Sequence, residues 1–141
     1  MMKKFMLVLI LSFIVCEGVM AADNGEILTK EESHVQTFMA ALHTTEGYEA
    51  AKESMSDTLT AAISAQKFIS LQKQIQTTFG MQREMKLALV EKFDQGDRLT
   101  YVAVYGNNQL VRIVVTFGLN GKQGIQRISF TPIRQDNASH T

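Results

Sequence analysis

The sequence predicts an α+β domain in which helices precede a four-stranded antiparallel sheet. Apolar residues recur with helical spacing before Gly80 and alternate with strand spacing after it. Short polar pairs that are typical of tight turns separate the alternating segments: Gln95-Gly96, Asn107-Asn108 and Asn120-Gly121. We therefore predict a meander, in which four strands follow one another and each pairs with the next.

The registers of all three hairpins follow if each polar pair forms a two-residue turn. Val104 then faces both Leu87 and Val111, and Ile113 faces Ile128. Because residues directly opposite each other share a face, one face of the sheet is predicted to be apolar. Its members would be Met85, Leu87, Leu89, Val102, Val104, Val111, Ile113, Val115, Phe117, Ile128 and Phe130.

The opposite face of the predicted sheet mixes polar and apolar side chains. Single apolar residues are common on surfaces, so an ordinary exposed face is the simpler interpretation. A contiguous apolar patch can also mark a contact between proteins. In that case the interface to a partner, or to a second copy in a homodimer, would consist of Val90, Tyr101, Tyr105, Leu110 and Arg112.

The first long helix is predicted over residues 30–43. Thr29 and Glu32 match a capping box, in which both side chains satisfy free backbone N–H groups at a helix start. Apolar residues then recur at the spacing of one helix face, at Val35, Phe38, Met39 and Leu42.

One short and one long helix follow. The short helix spans 48–55, and Leu59 and Ile63 indicate a further turn or two packed inward. The long helix begins after Ser64 and ends at Phe79, with Gly80 as its C-terminal cap.

The first 21 residues have the features of a signal peptide. Lys3 and Lys4 precede an apolar segment over 5–15, and small side chains precede Ala22. The apolar segment is short for a membrane span, and Val15 before Cys16 does not fit a lipid-anchored protein. We expect export to the periplasm or the medium of a bacterial host. The predicted division is a leader over 1–21, a lead-in over 22–28, one α+β domain over 29–132 and a polar tail over 133–141.

Charge and cysteine content exclude several classes of function. The chain has 14 basic and 14 acidic residues, and removal of the leader leaves the remainder close to neutral. Neither nucleic acid nor a membrane surface is therefore a predicted partner. The single cysteine, Cys16, lies in the leader, so the exported chain has no disulfide, cysteine nucleophile or zinc thiolate.

Three segments resemble a known family. They are GYEAAKESMSDTL, SAQKFISLQKQIQTTFG and VRIVVTFGLNGKQGIQRISFTP. The chain resembles the domain of unknown function 3887 family, within the nuclear transport factor 2-like superfamily. The resemblance implies a cone-shaped fold whose curved sheet packs its concave face on the helices and often leaves a pocket at the open end. Superfamily relatives include isomerases, dehydratases, ligand binders and interaction modules, so the fold does not choose a function.

Three polar residues, Glu91, Thr100 and Gln126, are predicted on the inward face at one end of the sheet. An isomerase-like site needs a carboxylate base and a hydrogen-bond donor in an apolar pocket, and Glu91 would be that base. The alternative is that the strands leave the core there and meet water. Met39 and Met55 could line a soft apolar cavity, although methionine is also a common filler of cores.

No catalytic residue, metal or cofactor is predicted. His34 and His43 lie nine positions apart, which does not bring two imidazoles to one metal on a helix. The preferred hypothesis is an exported, non-catalytic domain that binds a protein partner or a small apolar ligand. The alternative is a small enzyme of isomerase or lyase type with a carboxylate at the mouth of the cone.

Overall fold

The computed structural model describes residues 14–106, 108–119 and 124–134, and the side chains of those ranges from Gly25 onward. Four helices precede four strands. Their bounds are α1 (Ile14–Leu42), α2 (Tyr48–Ser54), α3 (Asp57–Ala62), α4 (Ala65–Phe79), β1 (Gln82–Phe93), β2 (Gly96–Tyr105), β3 (Gln109–Gly118) and β4 (Ile125–Pro132).

The sheet is an antiparallel meander in the order β1-β2-β3-β4, so the predicted α+β class is confirmed. The strands lie where the alternating apolar pattern predicts them. The registers of the hairpins differ from the prediction, and the difference decides which side chains are buried.

The β2–β3 hairpin is shifted by one residue. Tyr105 pairs with Gln109, so three positions, 106–108, connect the strands in place of the predicted two. Asn107 itself lies outside the described residues. A shift of one residue exchanges the two faces of a strand. Tyr101 and Tyr105, predicted to face outward, are buried in the core, whereas Val102 and Val104 face outward.

The β1–β2 hairpin turns one residue earlier than predicted, since Phe93 pairs with Gly96. A β-bulge between Leu87 and Leu89 then changes the alternation of β1. Leu87 and Val90 pack against the core, whereas Leu89 is 50% exposed. The predicted inward position of Leu89 and the predicted outward position of Val90 are therefore both wrong.

The β3–β4 hairpin is shifted by two residues, which preserves the faces. Ile113 pairs with Phe130 and Val115 pairs with Ile128, so both β4 residues face the core as predicted. An irregularity at the start of β4 inserts one residue, and Ile125, predicted on the outer face, is fully buried. The predicted turn at residues 120–121 lies outside the described residues.

Helix α1 is longer than the predicted 30–43, and its described part includes the segment 22–28 that was predicted to be a lead-in. The Thr29 hydroxyl donates to the Gly25 carbonyl oxygen at 2.9 Å, which is a contact within a continuing helix and not a cap. The leader prediction falls mainly on residues 1–13, outside the described residues.

The caps of the later helices agree with the sequence. The Ser64 hydroxyl accepts from the Lys67 N–H at 3.2 Å, and Gly80 ends α4 with a φ of 89°, which favours glycine. The Ser56 hydroxyl accepts from the Leu59 N–H at 3.1 Å and so caps α3, a short helix that was not predicted as a separate element. The described residues thus form two long and two short helices, one short helix more than predicted.

The core lies between the helices and one face of the sheet. Phe38 of α1 and Phe68 of α4 meet edge to face with their ring centres 5.8 Å apart. The Gln72 amide donates to the Ala41 and Thr44 carbonyl oxygens at 3.1 and 2.9 Å, and so caps the free carbonyl end of α1. No helix among the described residues has the length and apolar character needed to cross a membrane.

Candidate functional site

A groove of about 390 Å³ runs between α3 and α4 on one side and β4 on the other, and we call it the α4–β4 groove. Its size falls within the range of small-molecule sites. The apolar face of α4 forms its floor. Phe68 and Ile75 on this face are buried in the core, whereas Leu71 and Phe79 are half-buried. The apolar lining consists of Leu59, Ile63, Leu71, Ile75, Phe79, Ile128 and Phe130.

The rim of the α4–β4 groove is polar and carries only positive charge. Gln74, Thr78, Arg127 and Ser129 line it. Neither α4 nor β4 contains an aspartate or glutamate. A ligand with an apolar body and an anionic group would match both the lining and the rim.

A second cavity of about 300 Å³, the methionine cavity, lies between α1 and the start of β1. Met39, Met81 and Met85 line it together with His43 and Gln82. Partial desolvation of its ring lowers the pKa of His43, although the residue as a whole is exposed at the surface. The neutral ring can therefore exchange a hydrogen bond with a small polar group that enters the cavity.

The His43 ring also contacts β2. Its Nε2 atom lies 3.4 Å from the Tyr105 hydroxyl, and the two ring centres are 5.8 Å apart. Tyr105 is fully buried, and this burial raises the pKa of its hydroxyl to about 12. The hydroxyl therefore remains protonated near neutral pH, and the pair connects the methionine cavity to the core.

A buried acid cluster lies at the other end of the sheet, where α1 passes the β1–β2 turn. It consists of Glu31, Asp97, Lys92 and the Tyr101 hydroxyl. Glu31 is 0% exposed and Asp97 is 7% exposed. The Lys92 Nζ atom donates to Asp97 Oδ2 at 2.9 Å, which balances one of the two carboxylates.

Glu31 is the unusual member of the acid cluster. Neither of its carboxyl oxygens makes a hydrogen bond to another described residue. Burial, followed by the proximity of Asp97, raises the pKa of Glu31 to about 8. Its side chain is therefore mainly neutral at pH 7. The Tyr101 hydroxyl also lacks a described partner, and burial raises its pKa.

The predicted site residues Glu91, Thr100 and Gln126 do not form an inward-facing mouth. Glu91 pairs with Arg98 on the outer face, where Arg98 Nε and Nη2 donate to its two carboxylate oxygens at 2.8 and 3.0 Å. This guanidinium lowers the pKa of Glu91, which is opposite to the shift that a base in an apolar pocket needs. Thr100 pairs with Leu89 on that face, and Gln126 is exposed beside Gly118. The predicted inward placement is wrong for three reasons. The earlier turn changes the pairing of Glu91, the one-residue shift of the β2–β3 hairpin turns Thr100 outward, and the irregularity at the start of β4 turns Gln126 outward.

The two predicted methionines lie in different places. Met39 is buried and lines the methionine cavity, whereas Met55 is buried in the core beside the start of β4. The predicted interface is also divided. Tyr101, Tyr105 and Val90 face the core, and only Leu110 and Arg112 remain on the outer face.

Sequence reasoning missed Glu31, Asp97 and the α4–β4 groove. A signal for Glu31 was present, because it precedes Val35 by four positions and Phe38 by seven. It therefore extends the buried stripe of α1 by one turn. Among the described residues, no three histidine, cysteine, aspartate or glutamate side chains cluster in a way that could hold a metal ion.

Comparisons of the chain with protein-family models, with curated proteins and with solved structures found no match.

Proposed function

We propose that the chain is an exported, non-catalytic binding module that holds an apolar group of its ligand in the α4–β4 groove. One observation supports this above the others. The α4–β4 groove is larger than the methionine cavity, has an apolar lining, is open to solvent and is not covered by another described element. Single exposed apolar residues need no explanation, but a contiguous apolar groove with a polar rim is typical of binding surfaces.

We further propose that the fold is a nuclear transport factor 2-like cone related to the domain of unknown function 3887 family. The order of helices followed by a meander supports this, as does the packing of the helices on a single sheet face. Export is supported by the basic and apolar character of the first 21 residues.

A second candidate function, proton transfer in an isomerase or lyase, would use Glu31 in place of Glu91. A buried carboxyl with a raised pKa beside a tyrosine hydroxyl is a suitable acid–base pair. It ranks second because Glu31 lines neither the α4–β4 groove nor the methionine cavity, and a catalytic group must reach its substrate.

The test of the binding module uses a fluorescent apolar anion, anilinonaphthalene sulfonate, titrated into the protein. Leu71 lines the α4–β4 groove, whereas Ile69 lies on the same helix, is exposed and does not line it. We expect Leu71→Glu to weaken probe binding by about tenfold or more, since a charge enters the apolar lining. Ile69→Glu should bind as the native chain does.

Circular dichroism melts of both variants separate loss of binding from loss of folding. If a folded Leu71→Glu variant binds the probe as tightly as Ile69→Glu does, the α4–β4 groove is not the binding site.

A further inference from the structure

Among the described residues, the edge of β4 that faces away from β3 is paired only at its first residue. Met55, which links α2 to α3, forms a parallel bridge with Ile125, and the Ser56 N–H donates to the Ile125 carbonyl oxygen at 2.9 Å. Ser56 then caps α3, so the chain turns away from the sheet. The remainder of this edge is left beside the α4–β4 groove.

The hydrogen-bonding pattern of β4 shows which of its backbone N–H and C=O groups point away from β3. The Ile133 N–H donates to the Leu110 carbonyl oxygen at 2.9 Å, so Ile133 points towards β3. Positions that point towards a neighbour alternate along an antiparallel strand. Ile128 and Phe130 lie an odd number of positions before Ile133. Their N–H and C=O groups therefore point away from β3. No hydrogen bond from either residue to a described group outside the sheet is present.

The wall opposite this edge is apolar. Leu59 of α3 and Ile63, just after α3, line it together with Leu71 and Ile75 of α4. An extended peptide beside β4 would direct alternate side chains to the two faces of the sheet, and one set would enter the groove.

The charges of β4 and α4 favour a negatively charged peptide, although α3 carries the acidic Asp57 next to Ser56. Between Arg98 and Arg134 the chain contains no acidic residue, and α4 carries Lys67 and Lys73 without an acidic neighbour in that helix. Arg127 lines the groove itself. A second copy of β4 would bring the same positive charges to the edge, whereas an acidic peptide would balance them.

We propose that the α4–β4 groove binds an extended acidic peptide of a partner protein, which adds to the open edge of β4 as a fifth strand. The inference builds on the proposed binding function and names the class of its ligand. Backbone hydrogen bonds at Ile128 and Phe130 would supply affinity, the groove would hold alternate apolar side chains, and Arg127 would favour acidic ones.

The test follows backbone amide exchange by nuclear magnetic resonance while a short capped peptide of alternating glutamate and valine is added. We expect exchange at Ile128 and Phe130 to slow by about tenfold or more, since both N–H groups gain an acceptor. The same peptide with lysine in place of glutamate should protect neither amide.

Further variants separate the backbone contribution from the charge. Ile128→Pro removes the open N–H and should abolish peptide binding in a chain that circular dichroism shows to be folded. Arg127→Glu should weaken binding of the acidic peptide by about tenfold. Arg112→Glu is the matched control, because Arg112 is exposed on the neighbouring strand and does not line the groove.

The outcomes distinguish the two proposals. If the apolar probe binds in the groove but the acidic peptide protects neither amide, strand addition is wrong and the binding module stands. If neither ligand binds, both proposals fail. Protection that grows with protein concentration in the absence of peptide would identify a second copy as the occupant and overturn the peptide proposal.

Discussion

The two edge strands of the sheet are built in opposite ways. Strand β1 carries five charged residues, Arg83, Glu84, Lys86, Glu91 and Lys92, and its pairing is interrupted twice. Strand β4 carries one, Arg127, and its only irregularity lies at the end that Met55 and Ser56 already occupy.

The two edges differ in how well they are protected against pairing with another chain. Proteins protect edge strands with charge and with bulges, because a bare edge pairs readily with other chains. The β1 edge has both forms of protection. The β4 edge has little of either along Arg127–Phe130 and adjoins an apolar groove, which is the arrangement expected of an edge that accepts a partner.

The two sides also differ in what stabilises them. The Glu91–Arg98 ion pair and the acid cluster, which includes the Lys92–Asp97 ion pair, stabilise the β1 side. Apolar packing and one backbone bridge stabilise the β4 side. The stability of the β1 side should therefore depend most on pH. The stability of the β4 side should depend most on backbone conformation.

The largest effect on the free energy of unfolding is expected from Glu31→Gln. In the native chain the pKa of Glu31 rises from 4.5 to about 8 on folding, so its contribution is complete below about pH 4.5 and is lost as the pH rises through 8. Glutamine has no proton to lose. Above about pH 8 the variant should exceed the native chain in free energy of unfolding by on the order of several kcal/mol.

Urea unfolding at about pH 5 and about pH 9 provides the measurement for Glu31. The difference between variant and native chain isolates Glu31 from the histidines, whose ionisation is common to both. A difference that does not change with pH would contradict the raised pKa.

An intermediate effect is expected from Gly124→Ala, on the β4 side. Gly124 has a φ of 80°, and a Cβ atom there would lie 2.7 Å from the Ser54 carbonyl oxygen. The substitution should lower the free energy of unfolding by roughly 1–3 kcal/mol. It should also speed exchange of the Ser56 amide, which donates to Ile125.

Gly25→Ala is the control for Gly124→Ala, because nothing lies within 4 Å of a Cβ atom at that helical position. It should stabilise the chain by about 0.5–1 kcal/mol. Equal effects at the two glycines would show that the close approach of β4 to Ser54 is unimportant.

The smallest effect is expected from Glu91→Gln, which breaks the ion pair with Arg98 on the outer face. Both side chains are partly exposed, and exposed ion pairs contribute little to stability. Thermal melts should show a slight loss at low salt that disappears at high salt. A large loss, insensitive to salt, would mean that the β1 edge depends on this pair far more than its exposure suggests.

The helices and strands could be predicted because their signals are local. Ser64 and Gly80 define α4 through cap chemistry, and apolar alternation locates the strands. The continuation of α1 through Gly25 was not predictable from the capping-box residues, since Thr29 and Glu32 also fit a helix interior.

The register could not be predicted because β2 is apolar on both faces. Tyr101 and Tyr105 on one face are no more apolar than Val102 and Val104 on the other, so alternation alone accepts either. The one additional position in the β2–β3 connection decides between them, and the bulge in β1 adjusts that strand to match. The acid cluster follows from this arrangement, because Asp97 and Tyr101 reach Glu31 only in the observed register.

The burial of Tyr101 and Tyr105 also gives the protein an intrinsic optical reporter. The chain contains three tyrosines and no tryptophan, so its near-ultraviolet emission comes from tyrosine alone. Tyr105 ends β2 and lies against His43, whereas Tyr101 lies in the middle of the same strand beside the acid cluster. Native emission can therefore follow events near His43 and near the acid cluster without an attached dye.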